Sequence, residues 1–175
     1  SDDTTKPGGK IVENLLAKGY DGELFLINPK SDRVQHRSAI ASIGDLPSVP
    51  DLAYIAIPAK FVADALTELA RLGGRRVIVL SAGFGEVDES GRKEEERLAE
   101  IADRHGLVLL GPNCLGVSSP AHAGKFAGLL PEMRTGGIDF ISGSGATVDI
   151  LAEQAVRRGL VFHTFVTVGN SAQTG

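Results

Sequence analysis

The sequence predicts a doubly wound α/β fold around a parallel sheet, followed by part of a second α/β unit. Two observations carry this. Four short, partly β-branched apolar runs, "GELFLINPK" (22–30), "DLAYIAIPA" (51–59), "RRVIVLSAG" (75–83) and "GLVLLGPN" (106–113), recur at roughly 25- to 30-residue intervals, the spacing that parallel strands with crossovers need. Between them the apolar residues switch to helical spacing and stop at glycines.

Taken in order, "SDDTTKPGGKIVENLL" reads as a loop entering a helix with no strand in front of it, so the first strand is expected to be absent and the chain to be a fragment. Gly9 to Lys18 places Ile11, Val12, Leu15 and Leu16 on one face and meets Gly19 as a stop. "SIGDLPSVP" predicts a short helical turn and an extended link. Phe61, Val62, Ala65, Leu66, Leu69 and Ala70 repeat at helical spacing before Gly73-Gly74, and a charged helix runs from about Glu89 to His105. Its run "EVDESGRKEEER" reads as a solvated face with acidic residues in the first turn, where the helix dipole favours them. From Ser118 to Gly136 periodicity is lost among Pro, Gly and Ala, which predicts a linker over 120–136. The second unit follows as a strand at 137–142, the turn "GSG", a helix from Ala146 to Arg158 and a strand at 161–169. The expected division is 1–119, the linker, and an incomplete unit at 137–175.

At 175 residues there is enough chain for one well-buried domain or for one plus part of another. No stretch approaches the roughly 18 apolar residues of a membrane span, so no membrane role is expected. With 18 basic and 22 acidic residues the net charge is −4, which argues against a broad nucleic-acid face. A single cysteine and no signal segment lead to the expectation of a cytoplasmic protein.

In open α/β sheets ligands sit beyond the carboxyl ends of the strands. Here those ends read Asn28-Pro29-Lys30, Ile57-Pro58-Ala59-Lys60, Ser81-Ala82-Gly83-Phe84 and Gly111-Pro112-Asn113-Cys114. Small residues and prolines leave space for an extended ligand on bare N–H and C=O groups. Lys30 stands where an NAD-binding domain carries an acid for the ribose hydroxyls, so a ribose bearing phosphate suits it better; coenzyme A and NADP both have one. In the second unit, a strand leading through Ser142, Gly143, Ser144 and Gly145 into a helix concentrates free N–H groups and suits an anion such as phosphate. His36, His105 and His163 show no ligand spacing with carboxylates or with Cys114, so no metal site is expected.

The ordered set "INPK", "YIAIPA", "LSAGFGE", "LLGPNCLG" and "FISGSGA" resembles the α-subunit part of nucleoside-diphosphate-forming acyl-CoA synthetases, the superfamily of succinyl-CoA synthetase, over nearly the whole chain. The resemblance implies a Rossmann-like coenzyme A-binding domain and the start of a flavodoxin-like ligase domain. It implies a coenzyme A site lined by Lys30 near phosphate, Ile57, Pro58 and Ala59 along the nucleotide and pantetheine, Ser81, Ala82 and Gly83 beside them, and Asn113 and Cys114 near the thiol end. It implies phosphate binding at Ser142, Gly143, Ser144 and Gly145, with Gly143 where relatives commonly carry Gln or Arg. The family reaction runs through an acyl phosphate and a phosphohistidine on a later loop that has no match here; His122, in "PAHAGKFAG", is only superficially similar to it. No catalytic residue is therefore expected within the chain. Expected partners are coenzyme A, a small carboxylic acid, an ATP-grasp domain or β subunit carrying ATP/ADP or GTP/GDP with Mg, and further copies in an oligomer. A coenzyme A-sensing module fused to an acyltransferase, and an NAD(P)-dependent oxidoreductase, are the alternative classes. Cys114 has no base beside it in sequence and reads as a packed pocket residue rather than a nucleophile.

Overall fold

A computed structural model describes residues 2–128 and 130–173; Ser1, Leu129 and the last two residues of "NSAQTG" lie outside the described residues. The chain opens into helix α1 (Pro7–Ala17), with proline in its first turn where the missing N–H costs nothing. Gly19, at φ 73°, ends it, and Tyr20 N–H returns to Leu15 O at 3.0 Å. Three of its four apolar residues, Ile11, Val12 and Leu15, are buried.

All four expected strands form, each shorter than its apolar run: β1 (Leu26–Ile27), β4 (Ala53–Ile55), β5 (Arg76–Val79) and β6 (Val108–Leu110). They do not make one sheet. β4, β5 and β6 pair in parallel, while β1 pairs in parallel with an unexpected strand, β3 (Arg37–Ile40), which forms a hairpin with β2 (Arg33–Val34). The strand orders β3-β1 and β4-β5-β6 are two runs of the 3-2-1-4-5-6 order of a doubly wound sheet.

The crossover helices follow their patterns. Helix α2 (Val62–Leu72) buries Val62, Ala63, Leu66, Leu69 and Ala70 and ends on Gly73 at φ 104°. Helix α3 (Glu89–His105) starts on Asp88, whose carboxylate accepts from Gly91 N–H at 2.8 Å, and ends on Gly106. Leu98, Ile101 and Ala102 carry its thin apolar stripe into the same core as α2, β5 and β6. Ile43–Asp45 is the expected short helical turn.

The stretch read as a linker is not structureless. β7 (Gly116–Ser119) and β8 (His122–Lys125) form a hairpin, and β9 (Met133–Ser142) begins within it. The hairpin joins the second unit: β10 (Phe162–Thr167) pairs in parallel with β9 on one side and antiparallel with β7 on the other. Helix α4 (Gly145–Arg157) packs on this sheet through Val148 and Ala152 against Phe162 and Phe165. Small residues on β7 and β8 hid the alternation of a strand. The hairpin is held by β10 on one edge and by α1, whose Asn14 Nδ2 donates to Lys125 O at 2.6 Å.

Candidate functional site at the strand ends

Three of the four strand ends are tied into one surface. The Ser81 hydroxyl donates to Ile57 O at 2.6 Å and accepts from Ile57 N–H at 3.2 Å, locking the end of β5 to the end of β4. Ser81 O accepts from Asn113 N–H at 2.9 Å, adding the end of β6. Ile57, Pro58, Ala82, Gly83 and Asn113 are exposed along this surface, with Ala59 and Ser81 half-buried. Gly83, at φ 105°, keeps it low: a Cβ there would stand 3.3 Å from Ala59 Cβ. The start of α1 borders it, Gly8 lying so that a Cβ would meet Ala56 Cβ at 3.2 Å. Lys30 stands apart. It is exposed at the end of β1, where its N–H is bound by Asn28 Oδ1 at 3.0 Å, and among the described residues no hydrogen bond joins it to the other three ends.

The turn "GPNC" has the least freedom. Gly111 at φ 98° follows the close approach of Val79 O, which leaves no space for a Cβ; the next peptide bond, to Pro112, is cis, and Asn113 takes φ 59°. Cys114 turns inward from this. It is 2% exposed, packs with Ile11, Leu15, Ile78 and Leu80, and its thiol donates to Val79 O at 3.4 Å. Burial pushes the thiol up to about 11, so at neutral pH it is a protonated core residue. Only its backbone faces the turn's outer side.

The turn at 142–145, read as an anion site, is built next to this surface. Ser144 caps α4, its hydroxyl accepting from Thr147 N–H at 3.4 Å, and its own N–H is held by Ser142 Oγ at 3.2 Å. Gly143 has open space where a Cβ would stand, so a larger residue would fit. Gly145 packs on Leu115, a Cβ there meeting Leu115 Cδ1 at 3.0 Å. Buried Thr167 joins the two turns, its hydroxyl accepting from Leu115 N–H at 2.6 Å and Gly116 N–H at 3.1 Å while Val168 N–H reaches Ser142 O at 3.0 Å.

Three residues of this surface were not read as part of it in the sequence. Asn170, after β10, donates through Nδ2 to Glu86 Oε2 at 2.6 Å and Glu95 Oε2 at 2.7 Å, and accepts from Asn113 Nδ2 at 3.2 Å. Glu86 receives Gly83 N–H at 2.6 Å and Phe84 N–H at 3.2 Å, and Glu95 receives Gly85 N–H at 3.0 Å. Burial by itself would raise the Glu86 carboxyl; hydrogen bonds from Gly83, Asn170 and Phe84 outweigh it and hold the group below its ordinary value. Glu86 and Glu95 both sit in the acidic run read as solvated, and both turn their carboxylates to Asn170. His122, by contrast, is occupied elsewhere: its Nε2 lies 2.7 Å from the Tyr54 hydroxyl, the two rings stacked, and burial holds the imidazole below its usual range.

A doubly wound sheet with its ligand surface at the carboxyl strand ends, its glycines clearing the backbone and a capped helix beside the last turn, defines a nucleotide-ligand domain of the Rossmann-like class. The chain belongs to the coenzyme A binding domain family, whose model matches residues 1–120. The resemblance to acyl-CoA synthetases is borne out as well. The chain is 36% identical over 173 residues to the α subunit of the ADP-forming acetate–CoA ligase II of Pyrococcus furiosus, covering 98% of this chain and 37% of that one. It is 35% identical over 176 residues to the ADP-forming 4-hydroxybutyrate–CoA ligase of Nitrosopumilus maritimus, covering 98% and 25%. The solved acetyl-coenzyme A synthetase 1 of Candidatus Korarchaeum cryptofilum, in complex with phosphate and ADP, superposes with a TM-score of 0.88 at 30% identity, covering 98% of this chain and 37% of that one. The chain thus spans well under half the length of the curated relatives it matches.

Proposed function

We propose that this chain is the coenzyme A-holding part of an acid–thiol ligase that interconverts acid, coenzyme A and a nucleoside triphosphate with acyl-CoA, nucleoside diphosphate and phosphate. The observation that carries it is the junction at the end of β10, where the Thr167 hydroxyl holds Leu115 and Gly116 of the strand-end surface and the next N–H, of Val168, holds Ser142 O of the turn that caps α4. A thiol and an acyl phosphate must meet for the thioester to form, and here an extended-ligand surface and an anion turn are held by neighbouring residues of one strand end, Thr167 through its hydroxyl and Val168 through its N–H.

In this reading the nucleotide lies against Ile57, Pro58 and Ala59 with Lys30 toward phosphate. The pantetheine arm passes Ser81, Ala82 and Gly83, and the thiol ends at Asn113 and the backbone of Cys114. The acyl phosphate sits on Ser142, Gly143, Ser144 and Gly145, where free N–H groups and the positive end of α4 offset the phosphate charge. The thiol sulfur attacks the acyl carbon, the carbon–oxygen bond to phosphate breaks, and phosphate leaves carrying the electron pair while the thiol proton is lost to solvent or base. The four histidines of this chain are not the phosphate carrier; that group, and the nucleotide with Mg, belong to an ATP-grasp portion in cis or in trans. Residues 1–119 form the coenzyme A unit and 137–175 the start of the ligase unit, working in the cytoplasm on a small carboxylic acid as part of an oligomer.

Isothermal titration of the chain with coenzyme A, desulfo-coenzyme A and NADH tests this. The first two bind and NADH does not; Lys30→Ala and Asn113→Ala each weaken binding roughly tenfold, the loss of one charge-assisted or shared hydrogen bond. NADH binding without coenzyme A binding would replace this reading with a dinucleotide one.

A further inference from the structure

We infer that Asn170 is a positioning residue that fixes which way the Asn113 carboxamide faces, so that Asn113 offers its oxygen as the acceptor for an amide N–H of the pantetheine arm. This deepens the coenzyme A reading and rests on it.

Two carboxylates decide the orientation. Glu86 and Glu95 both approach the same atom of Asn170, at 2.6 and 2.7 Å. Carboxylates only accept, so that atom is the amide nitrogen, and the Asn170 oxygen must face Asn113. An oxygen there accepts, so Asn113 turns its nitrogen inward, at 3.2 Å. Its oxygen is left on the far side, away from Asn170, on an exposed residue of the strand-end surface. A pantetheine arm carries two secondary amides before its thiol, and each N–H needs an acceptor.

The hub cannot slide to a different pairing. Its carboxylates are anchored on the N–H groups of Gly83, Phe84 and Gly85. Its own N–H is bound by Pro112 O at 2.9 Å. Gly169, at φ 60°, brings the two turns so close that a Cβ would overlap Pro112 O. The second unit therefore reaches into the coenzyme surface through one side chain, and that side chain touches the turn at 83–86 and the turn at 112–113 together.

The test is titration of the full chain with coenzyme A and with adenosine 3′,5′-bisphosphate, which keeps nucleotide phosphates and lacks the pantetheine arm; the bisphosphate is read by competition against coenzyme A. Asn170→Ala weakens coenzyme A roughly tenfold, the size of one lost oriented hydrogen bond, and leaves the bisphosphate within about twofold. Asn170→Asp, which sets a third carboxylate against two, weakens coenzyme A more than Asn170→Ala does and again spares the bisphosphate. Unchanged coenzyme A affinity in both variants overturns the inference, and so does a parallel loss of both ligands, which marks a structural role. A parent chain that binds neither ligand sinks the coenzyme A reading itself, and this inference with it.

Discussion

Lys125 is the one buried charged side chain among the described residues, and the cost of disturbing it follows from an asymmetry with its partner. Its ammonium is 0% exposed and lies 2.6 Å from Asp149 Oδ1, while the Asp149 side chain keeps 31% exposure. The Lys125 ammonium also donates to Ala127 O. The pair crosses from β8 to α4, so it fixes the helix whose first turn is the proposed phosphate site. Asp149→Ala strips the carboxylate from a fully buried ammonium, the expensive direction, and costs about 3 to 5 kcal/mol. Lys125→Met keeps the length and apolar stem, and returns Asp149 to partial solvation; the cost falls to about 1 kcal/mol or less. For a chain of this size each kcal/mol moves the melting temperature by about 2–4 °C, so Asp149→Ala lowers it by about 6 to 20 °C and Lys125→Met by no more than about 4 °C. Differential scanning fluorimetry with a denaturant titration reads both. Equal losses in the two variants, or a parent-like Asp149→Ala, would refute the asymmetry and with it the placement of Lys125 in the core.

Cys114, with its thiol raised to about 11, holds roughly one thiolate in ten thousand at pH 7. It should resist iodoacetamide in the folded chain and react within minutes once denaturant unfolds it; fast labelling of the native chain would contradict its burial. His36 and Gln35 form the β2–β3 turn at φ 64° and 49°, a conformation glycine adopts without cost. His36→Gly should raise stability by about 0.5 to 1 kcal/mol, a gain that urea midpoints would resolve and that a loss would disprove. His122 is held below its ordinary 6.5 by burial. A lowered histidine contributes stability above 6.5 that is lost as pH falls from there toward the folded value, since the unfolded chain binds the proton first. Denaturant midpoints should therefore drop between pH 7 and pH 5.5, and His122→Gln should flatten that slope; an unchanged slope would place the proton uptake elsewhere.

What was legible in the sequence is what local chemistry alone decides. Asp88 and Gly106 bound α3 at the residues read for it, because a capping carboxylate and a left-handed glycine need no distant partner. Each apolar run marked a strand, but only two to four of its residues pair, because the flanking positions turn away into the connecting loops. The hairpin β2–β3 was invisible: "DRVQHRSA" has no alternation, and its turn is made by Gln and His in place of the usual Asn-Gly signal. β7 and β8 were lost among small residues for the converse reason, since their partners β10 and α1 supply the packing. The strand-end residues could be found because glycine and proline announce close backbone approach. Asn170, Glu86 and Glu95 could not, since a carboxamide and two carboxylates are meaningful only through each other, across 84 and 75 residues of sequence.

The division into two units hides the feature that the proposed chemistry needs most. Had a flexible linker followed Cys114, thiol and phosphate would approach each other only at the concentration a tether allows. Instead the backbone leaves the turn at 111–114 directly as β7 and is zipped to β10, the strand whose end continues into Asn170. The same few residues thus carry two outgoing connections: Thr167 ties Leu115 and Gly116 to β10, and Asn170 ties the turn at 112–113 to the carboxylates. Gln173 closes the arrangement by pairing with the edge of β6, its carboxamide accepting from Leu109 N–H at 2.7 Å and donating to Leu107 O at 3.0 Å as a neighbouring strand would. Reactive groups held by such a junction meet as parts of one rigid body, the condition under which orientation removes several kcal/mol from a bimolecular barrier.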